Sequence, residues 1–476
     1  MSEKKKHVVV IGNGMTSLRF CEKLLEYDAR HEYRLTILGD EILPAYDRVN
    51  LSSIFSGKNS PELIFSESRW YAYHKMELLL GSRVESIDRA DKTISISDGK
   101  VISYDYLVIA TGARPHIPDL AGTNLEGVHV YRTTDDVSAI QKDAERAAHA
   151  VILGGGLLGL EAAEACKEMG LDTTVLERAP HLMACQLDAA GGQLLRDKIE
   201  ELDIKIQTDA HVLELRGEQR VQKVHFTNGD SLDADLVILA TGIQPNDELG
   251  RNAGLSSGTN GGIAVDETVR TSDPAIYAIG ECASFNDITY GLVAPCYAMA
   301  EAASAHLGGI NKTFQPPQPA SQLKLLDLQV CSIGNPMIEP PHAKHVIDQD
   351  AEKGVYKKLV TDPAGEYLLG AILIGETSEF GRLHKRIDEK TKLPERPEEW
   401  FAPIGKPFEA EPDIEDDDVV CFCNYVTKAD ICKAIDRDNL KTTGDVMDAT
   451  YAASLCGSCY ELLDLVTKHH VAKRDG

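Results

Sequence analysis

A two-part sequence pattern that occurs twice constrains this chain more than any other feature. In each copy, a short apolar strand runs directly into a glycine-rich turn that opens a helical stretch. The strands are residues 7–11, followed by Gly12 and Gly14, and residues 150–153, followed by the glycines of segment 154–159. The first glycine makes the turn, the second lets backbone approach a pyrophosphate, and the helix N-terminus faces the negative charge. Each copy therefore predicts a dinucleotide site.

The second part of the pattern lies downstream of each turn. Residues 105–112 and 235–242 both read as a buried strand that ends in Ala-Thr-Gly, and Pro115 and Pro245 each follow that glycine by three residues. Two copies of a two-part pattern are far less expected by chance than one copy. The repeat predicts an α/β chain with two Rossmann-like domains.

Acidic residues follow the second strand of each copy, where a carboxylate binds the ribose hydroxyls of a dinucleotide. In the first copy, Asp40 and Glu41 both occupy this region, and the pattern does not choose between them. In the second copy, Glu177 ends the strand and predicts NADH rather than NADPH, because a carboxylate repels a 2′-phosphate. Arg178 follows at once and softens that preference.

Composition and charge exclude several classes of protein. The 476 residues carry a formal charge of −26, which argues against a nucleic-acid or anionic-membrane surface. No apolar run is long enough to span a bilayer, and the first residues lack the apolar core of a signal peptide. We therefore expect a cytoplasmic protein whose eleven cysteines are reduced.

Four of those cysteines form two closely spaced pairs near the end of the sequence. They are Cys421 and Cys423, then Cys456 and Cys459. Four thiolates can close a tetrahedral sulfur site, which suits either zinc or an iron–sulfur cluster. An apolar stretch that follows Cys459 reads as a helix, whose N-terminus would face the site.

The region between the duplicated fold and these pairs has its own pattern. Residues 355–360 and 367–375 read as strands around a turn, and the proline-rich, acidic segment 394–418 reads as a linker. Beyond it, Thr427 is the predicted cap of one helix, and Thr443 or Asp445 of a second.

The two fingerprints, the paired Ala-Thr-Gly segments and residues 275–281 resemble the flavoprotein family with two dinucleotide domains, which includes glutathione reductase, ferredoxin and rubredoxin reductases, and NADH oxidases. The resemblance implies FAD on the first copy, with Arg48 beside the flavin, and NAD(P)H on the second, with Glu161 near the nicotinamide. The other implied FAD contacts are Gly12, Gly14, Met15, Thr16, Asp40, Glu41, Ser52, Val84, Ala110, Thr111, Gly112, Gly280 and Glu281. The implied nicotinamide-nucleotide contacts are Gly154, Gly156, Leu157, Leu158, Gly159, Glu161, Glu177, Arg178 and Gly242.

The thiols that this family uses in catalysis are missing. Disulfide reductases need a cysteine pair near the first helix, where Cys21 stands alone, and NADH oxidases need a cysteine where this chain has Ser52 and Ser53. Electrons must therefore leave the flavin by another route. The remaining cysteines, which lack metal-site spacing, are predicted core residues: Cys166, Cys185, Cys282, Cys296, Cys331 and Cys432.

The C-terminal pairs resemble the 2Fe–2S module named for bacterioferritin-associated ferredoxin, which implies the four cysteines as cluster ligands. The order of parts resembles the N-terminal half of NADH-dependent assimilatory nitrite reductase large subunits, and also the electron-transfer subunit of assimilatory nitrate reductase. The implied domains are FAD-binding (1–117 and 241–320), NADH-binding (118–240), interface (321–393), linker (394–418) and 2Fe–2S (419–472).

We therefore expect an enzyme that passes electrons from NADH through FAD and a 2Fe–2S cluster to a separate nitrate or nitrite reductase catalytic subunit. Since no sirohaem domain follows in this sequence, we do not expect it to reduce nitrite by itself. The interface domain of the family often makes a dimer contact, so a homodimer is possible. Two alternatives stay open: a reductase of the rubredoxin or ferredoxin type that serves an oxygenase or another acceptor, and a redox-sensing or iron-handling cluster protein.

Overall fold

Apolar β-branched runs form strands and amphipathic stretches form helices in the computed structural model, which describes residues 5–325, 328–393, 414–416, 418–422, 424–453 and 459–475. Contacts divide these residues into two units. The first unit takes the described residues through His116, with Arg132–Thr134 and Gly242–Pro317. The second takes Ile117–Tyr131, Asp135–Thr241 and the described residues from Gln318 onward.

The α-helices are numbered along the chain. They are α1 Met15–Tyr27, α2 Ser68–Tyr73, α3 Thr134–Ala144, α4 Leu157–Glu168, α5 Ala189–Glu200, α6 Glu248–Asn252, α7 Val293–Leu307, α8 Phe380–Glu389, α9 Lys428–Asp438, α10 Thr443–Thr450 and α11 Tyr460–Asp475. Short 3₁₀ helices span Leu51–Ile54, Ser60–Leu63 and Gly280–Cys282.

The strands are numbered in the same way. Those before α4 are β1 Lys6–Ile11, β2 Tyr33–Leu38, β3 Glu77–Leu79, β4 Val84–Asp88, β5 Thr93–Ile96, β6 Val101–Ser103, β7 Tyr106–Ile109, β8 Ala113–Pro115, β9 Val128–Val130 and β10 His149–Leu153. Those from α4 to α7 are β11 Asp172–Leu176, β12 Lys205–Gln207, β13 Val212–Arg216, β14 Lys223–Phe226, β15 Ser231–Asp233, β16 Leu236–Leu239, β17 Ile243–Pro245, β18 Ile263–Val265, β19 Ile276–Ala278, β20 Ala283–Phe285 and β21 Ile288–Thr289. The last are β22 Ala320–Leu325, β23 Leu328–Gly334, β24 Lys344–Asp350, β25 Val355–Thr361, β26 Leu368–Ile374, β27 Val419–Cys421 and β28 Val426–Thr427.

The first unit is built on a parallel sheet of five strands, in the order β19-β7-β1-β2-β3. Helices α1 and α7 pack against each other beside this sheet. The helical period predicts that Leu18, Cys21, Leu24 and Leu25 share one face of α1. Leu18, Cys21 and Leu24 are at most 6% exposed, and Leu25 is partly buried against the same core. An antiparallel sheet of β4, β5 and β6 lies in the chain between β3 and β7.

The second unit repeats this plan. Its parallel sheet has the order β12-β11-β10-β16-β9, and an antiparallel sheet of β13, β14 and β15 precedes β16 in the chain. The registers match as well: Ile11 pairs with Leu38 in the first unit, as Leu153 pairs with Leu176 in the second. The predicted α/β fold with two Rossmann-like sheets is confirmed.

The second unit also contains an antiparallel sheet of five strands, in the order β22-β23-β26-β25-β24. The strands predicted around residues 355–360 and 367–375 are its β25 and β26. Helix α8 packs on this sheet through Phe380, Leu383 and Ile387, which share a core with residues of β23 and β26.

The last described residues form a small module with its own apolar core. Hairpin β27–β28 and helices α9, α10 and α11 surround Ile431, Ile435, Val446 and Leu463. Thr427 caps α9 as predicted, and its side chain accepts a hydrogen bond from the Asp430 amide.

The predicted cap of α10 is wrong. Thr442 is the N-cap, because its hydroxyl accepts a hydrogen bond from the backbone of Asp445, while Thr443 is already the first helical residue. Asp445 is the partner that completes this capping box. Residues 394–413 and 417 of the predicted linker lie outside the described residues.

The cysteines without metal-site spacing divide into three groups. Four of the predicted core residues are buried: Cys166, Cys282, Cys296 and Cys331. Cys432 is only half-buried, and the prediction for Cys185 is wrong, since it is exposed. Cys185 lies in the segment that leads to α5, where no strand or helix period gives its side chain a direction.

Candidate functional site

The first glycine turn is held against the end of the neighbouring strand. Gly12 has a φ of +110°, and a Cβ there would overlap the carbonyl oxygen of Ala110. The Ala110 amide donates to the Ile11 oxygen at 2.7 Å, so the Ala-Thr-Gly segment and the turn form one packed unit. Ser17 stands where the dinucleotide fingerprint has its third glycine, whose role is close helix–strand packing. It fits that role, because it is 1% exposed and its hydroxyl donates to the Gly14 carbonyl at 2.8 Å.

The start of α1 suits an anionic group. Gly14 is the N-cap, no side chain caps it, and the first turn holds no acidic residue. Nothing lies within 4 Å of the point where a Gly14 Cβ would sit. The start of α1, at Met15 and Thr16, therefore combines this open position with the positive end of the helix, which fits a dinucleotide pyrophosphate.

Beside this turn, Arg48 is fixed by three neighbours. Its guanidinium pairs with Glu41, donates to the Arg132 carbonyl at 3.1 Å and lies 4.6 Å from the centre of the Tyr46 ring. Tyr46 also donates to Glu41, at 2.8 Å. Arg48 is therefore a positioned side chain and not a solvated loop arginine.

The two acids after β2 differ in their surroundings. The Glu41 carboxylate binds Arg48 and the Tyr46 hydroxyl. Asp40 is exposed, and its ion pair among the described residues is with the exposed Arg83, at 3.4 Å. Asp40 is thus the more open carboxylate of the two. Sequence reasoning missed the buried Asp47, which organises this loop by accepting hydrogen bonds from the backbone amides of Val49 and Asn50.

A third group of predicted residues comes together at Glu281. Its carboxylate pairs with Arg132, and a Cβ on Gly112 would lie 3.6 Å from Glu281 Oε2. Gly280 lies against Thr16 at the start of α1, since its Cβ would be 3.1 Å from the Thr16 hydroxyl. Arg132 was missed by sequence reasoning, because no fingerprint motif contains it.

Three predicted contacts of the first copy, Ser52, Val84 and Thr111, and Gly242 of the second copy lie outside the glycine turns. Ser52 lies half-buried in the 3₁₀ helix Leu51–Ile54, and Val84 is the buried first residue of β4. Thr111 and Asn246 exchange hydrogen bonds, with the Thr111 hydroxyl 2.6 Å from the Asn246 carbonyl. Gly242 has a φ of +110° and precedes β17, which pairs antiparallel with β8.

The second glycine turn repeats the geometry of the first. A Cβ on Gly154 would overlap the carbonyl oxygen of Ala240, and one on Gly159 would overlap the Gly154 oxygen. Gly156 caps α4 without a side-chain partner, and nothing lies within 4 Å of its Cβ position. The start of α4, at Leu157 and the exposed Leu158, therefore also fits a pyrophosphate.

The Glu177 carboxylate is held at the end of β11. It accepts hydrogen bonds from the Gly155 amide at 2.7 Å and from the Ala179 amide at 2.7 Å. An acid fixed beside the glycine turn is correctly placed to accept hydrogen bonds from ribose hydroxyls. Arg178, the next residue, is exposed.

Glu161 lies half-buried on α4, one turn beyond the glycines. Burial, with a contribution from the nearby Glu164 carboxylate, raises the pKa of its carboxyl to about 8. In the described part of the chain it has no ion-pair partner. A carboxyl that titrates near neutral pH is suited to hydrogen bonding or proton transfer beside a bound nucleotide.

The one thiol on helix α1 is inert. Cys21 is fully buried, and burial raises the pKa of its thiol far above the usual value. Such a thiol stays protonated and does not act as a nucleophile.

The C-terminal module brings together residues from both cysteine pairs. Cys421 at the end of β27 and Cys459, just before α11, are both buried members of one core. The Leu463 amide donates to the Cys459 carbonyl at 2.8 Å, so α11 begins directly at the second pair. Cys423 and Cys456 lie outside the described residues. Two buried cysteines from distant segments that share one core, beside the start of a helix, fit a cluster with thiolate ligands.

Three family models match the chain in sequence order. Residues 6–306 match the pyridine nucleotide-disulphide oxidoreductases, residues 319–391 match the rubredoxin NAD⁺ reductase C-terminal domain, and residues 419–465 match the BFD-like [2Fe-2S] binding domain. The predicted cofactor set of FAD, a nicotinamide dinucleotide and a 2Fe–2S cluster is confirmed at the level of these families.

Similar proteins agree with this division. The chain is 38% identical to the nitrite reductase (NADH) large subunit of Escherichia coli, over 99% of this chain and 56% of that protein. It is 34% identical to the assimilatory nitrate reductase electron transfer subunit of Bacillus subtilis, over 97% of this chain and 59% of that protein. The chain thus spans little more than half the length of these relatives.

A solved structure shows the same fold over most of the chain. The ferredoxin reductase of Rhodopseudomonas palustris aligns with a TM-score of 0.75 and 26% identity, over 82% of this chain and 96% of that one. Among the helices of the described segments, none combines the length and apolar character that crossing a membrane requires.

Proposed function

The chain belongs to the pyridine nucleotide-disulphide oxidoreductase family, and from that premise we propose that it carries electrons from NADH to a separate reductase catalytic subunit. The route is NADH to FAD to a 2Fe–2S cluster, and the acceptor is a nitrate or nitrite reductase. The relatives named above, which include an electron transfer subunit and a nitrite reductase, support this acceptor class.

One observation carries the proposal: an oxidoreductase fold with an inert first-helix thiol is joined to a module that matches a [2Fe-2S] binding domain. A flavin accepts a hydride as an electron pair, whereas a 2Fe–2S cluster handles one electron at a time. A chain with both has the parts to convert a two-electron donor into a one-electron supply.

Residues of the first unit are proposed to bind FAD. The glycine turn after β1 and the start of α1 would hold its pyrophosphate, Asp40 its ribose, and the Glu41–Arg48 and Glu281–Arg132 pairs the parts nearer the flavin. The full proposed set is Gly12, Gly14, Met15, Thr16, Asp40, Glu41, Arg48, Ser52, Val84, Ala110, Thr111, Gly112, Gly280 and Glu281, to which the structure adds Arg132.

Residues of the second unit are proposed to bind and orient NADH. The start of α4 would hold the pyrophosphate, the fixed Glu177 carboxylate the ribose hydroxyls, and Glu161 the nicotinamide end. Cys421, Cys423, Cys456 and Cys459 are proposed as the four cluster ligands. The domains implied by the resemblance, which end at residues 117, 240, 320, 393 and 418, are part of this proposal.

The setting of the protein follows from this role. An NADH-dependent carrier for an assimilatory reductase would work in the cytoplasm, where NADH is available, and would need a docking face for its redox partner. A homodimer, which the third domain of this family often forms, is compatible with that role.

The first test is an anaerobic NADH titration of the purified protein, followed by EPR, with iron and acid-labile sulfide assayed on the same sample. About two irons and two sulfides per chain, with a reduced-cluster signal that appears after the flavin is bleached, would support the electron path. Zinc in place of iron, with flavin reduction alone, would make the module structural and overturn the proposal. A cluster that NADH does not reduce would favour a sensing or iron-handling role.

A second candidate is a ferredoxin-type reductase that serves an oxygenase. The similarity to the ferredoxin reductase of Rhodopseudomonas palustris favours it. Steady-state assays with a nitrite or nitrate reductase catalytic subunit and with an oxygenase ferredoxin, in parallel, would separate the two. The proposed acceptor is wrong if only the ferredoxin is reduced.

A further inference from the structure

Phe422 stands in the sequence between two proposed cluster ligands, yet its side chain does not join the core of its own module. The ring packs edge-on against Phe380 of α8, with 4.9 Å between ring centres, and lies 4.4 Å from the ring of His384. Phe422 contacts the core of the five-stranded sheet and α8, whereas the core of the module consists of other residues.

A charged contact lies beside this aromatic contact. Lys385 Nζ, on the same helix, is 2.6 Å from Asp418 Oδ2, just before β27. The backbone amide of Glu415 also donates to Asp418 Oδ2, at 2.7 Å, so the carboxylate is fixed from its own side as well. The ion pair and Phe422 thus hold both ends of strand β27 against α8.

The α8 surface that receives Phe422 is anchored in the core and lies in van der Waals contact with the ring. Phe380 and Leu383 anchor α8 in the core below, and Phe422 Cε2 is the nearest atom, at 3.9 Å, to the point where a Cβ on Gly381 would sit. A side chain longer than a methyl group at position 381 would occupy the place of the Phe422 ring.

We propose that α8 is the docking site of the C-terminal module, and that Phe422 is the positioning residue that holds the Cys421 end of strand β27 there during electron transfer within the chain. This rests on the function proposed above. Each NADH that becomes NAD⁺ and a proton gives up two electrons, which pass through the module one at a time to the acceptor reductase in two one-electron steps. Phe422 neither binds the cluster nor carries the charge.

The test compares three variants of the full holoprotein. Phe422→Ala removes the aromatic contact, Phe422→Tyr keeps the ring as a matched control, and Gly381→Leu blocks the same site from α8 without altering the module. Since two aromatic contacts are lost, we expect Phe422→Ala and Gly381→Leu to slow NADH-driven cluster reduction about tenfold. Phe422→Tyr should stay near the wild-type rate.

Three readouts separate positioning from a general loss of structure. Stopped-flow absorbance follows flavin reduction by NADH, which should keep its rate, and freeze-quench EPR follows cluster reduction. Hydrogen exchange of the α8 amides should become faster in Phe422→Ala and in Gly381→Leu, while the iron content stays at the wild-type level.

The possible outcomes are distinct. If both Phe422→Ala and Gly381→Leu reduce the cluster at the wild-type rate, the docking inference is overturned while the proposed function stands. If Phe422→Ala loses iron, the rate of cluster reduction in Gly381→Leu decides: a slowed rate supports the docking inference, and a wild-type rate overturns it. If the wild-type cluster itself is never reduced by NADH, the proposed function fails first.

Discussion

Glu177 Oε2 accepts a hydrogen bond from the Gly155 amide, at 2.7 Å, so the acid at the end of one strand is tied to the glycine turn at the end of its neighbour. The bond fixes the carboxylate before any nucleotide arrives. A preorganised acceptor pays less ordering entropy on binding than a free side chain. Glu177 is therefore the residue on which the choice between NADH and NADPH should depend.

Replacing Glu177 by Ser should change nucleotide preference. Loss of a charged acceptor costs about 1.5–3 kcal/mol, so kcat/KM for NADH should fall about 10- to 100-fold. The value for NADPH should rise relative to NADH, because the repulsion of a 2′-phosphate is gone and Arg178 is adjacent. Steady-state kinetics with both nucleotides measure the ratio. Glu177→Gln keeps one acceptor oxygen, so its ratio of NADH to NADPH kcat/KM should lie between those of the wild type and Glu177→Ser. An unchanged ratio in Glu177→Ser would refute the assignment.

Glu161 should make stability depend on pH. Its carboxyl has a pKa of about 8 in the folded chain against 4.5 ordinarily, so between these values the folded state holds a proton that the unfolded state releases. Stability therefore falls as pH rises through this window and levels off above about pH 8. Glu161→Gln removes the cost of ionisation and should raise the melting temperature more at about pH 8.5 than at about pH 5.5.

The measurement is thermal unfolding without nicotinamide nucleotide, at both pH values. Glu168→Gln, on the exposed end of the same helix, is the control and should shift the two melting temperatures equally. An equal shift in Glu161→Gln would mean that its carboxyl is ionised throughout.

Replacing Cys456 by Ser should separate the two halves of the electron path. Without a fourth thiolate the cluster is lost or altered, whereas the dinucleotide sites are untouched. NADH-driven reduction of an artificial acceptor at the flavin should persist, and delivery to the protein partner should cease. Cys185→Ser, at an exposed cysteine outside the proposed ligand set, serves as control. Equal loss of both activities would contradict the proposed order of carriers.

The antiparallel five-stranded sheet contains a buried ion pair. Removing one of its charges should destabilise the protein more than removing both. Lys357 and Glu379 are both fully buried, with Nζ 3.0 Å from Oε1, and Glu376 lies 3.3 Å from the same ammonium. Lys357→Met leaves a buried carboxylate without its partner and should cost about 3–5 kcal/mol. The double variant Lys357→Met/Glu379→Met removes both charges and should recover part of this loss. Urea unfolding midpoints rank the three proteins, and a double variant no more stable than the single one would contradict this view.

The sequence was most informative where local geometry demands a particular residue. The strand, glycine turn and helix of each dinucleotide fold were predictable, because pyrophosphate contact and strand–helix packing both require small residues at fixed spacing. The structure explains why the Ala-Thr-Gly segment repeats together with the turn. The carbonyl of Ala110 fills the space that a side chain on Gly12 would need, and Ala240 does the same at Gly154.

Residues that act through partners distant in sequence were not found in this way. Arg132 belongs to no fingerprint, and only folding brings it to Glu281, 149 positions further along. Asp47 has no motif of its own, and its role becomes visible only when the loop amides converge on it. Cys185 was assigned to the core by its residue type, although the loop that carries it leaves it exposed.

By itself, the sequence determined the class of this protein: two dinucleotide folds, a third domain and a module with four cysteines. These follow from short-range rules of strand, turn and helix, which are written into neighbouring residues. Only the tertiary structure decided which side chains meet. The Arg132–Glu281 pair, the occupied Glu41 beside the open Asp40, and the Phe422 ring on α8 all depend on contacts between segments far apart in the chain. Such contacts are set by packing across the whole fold, which no local pattern records.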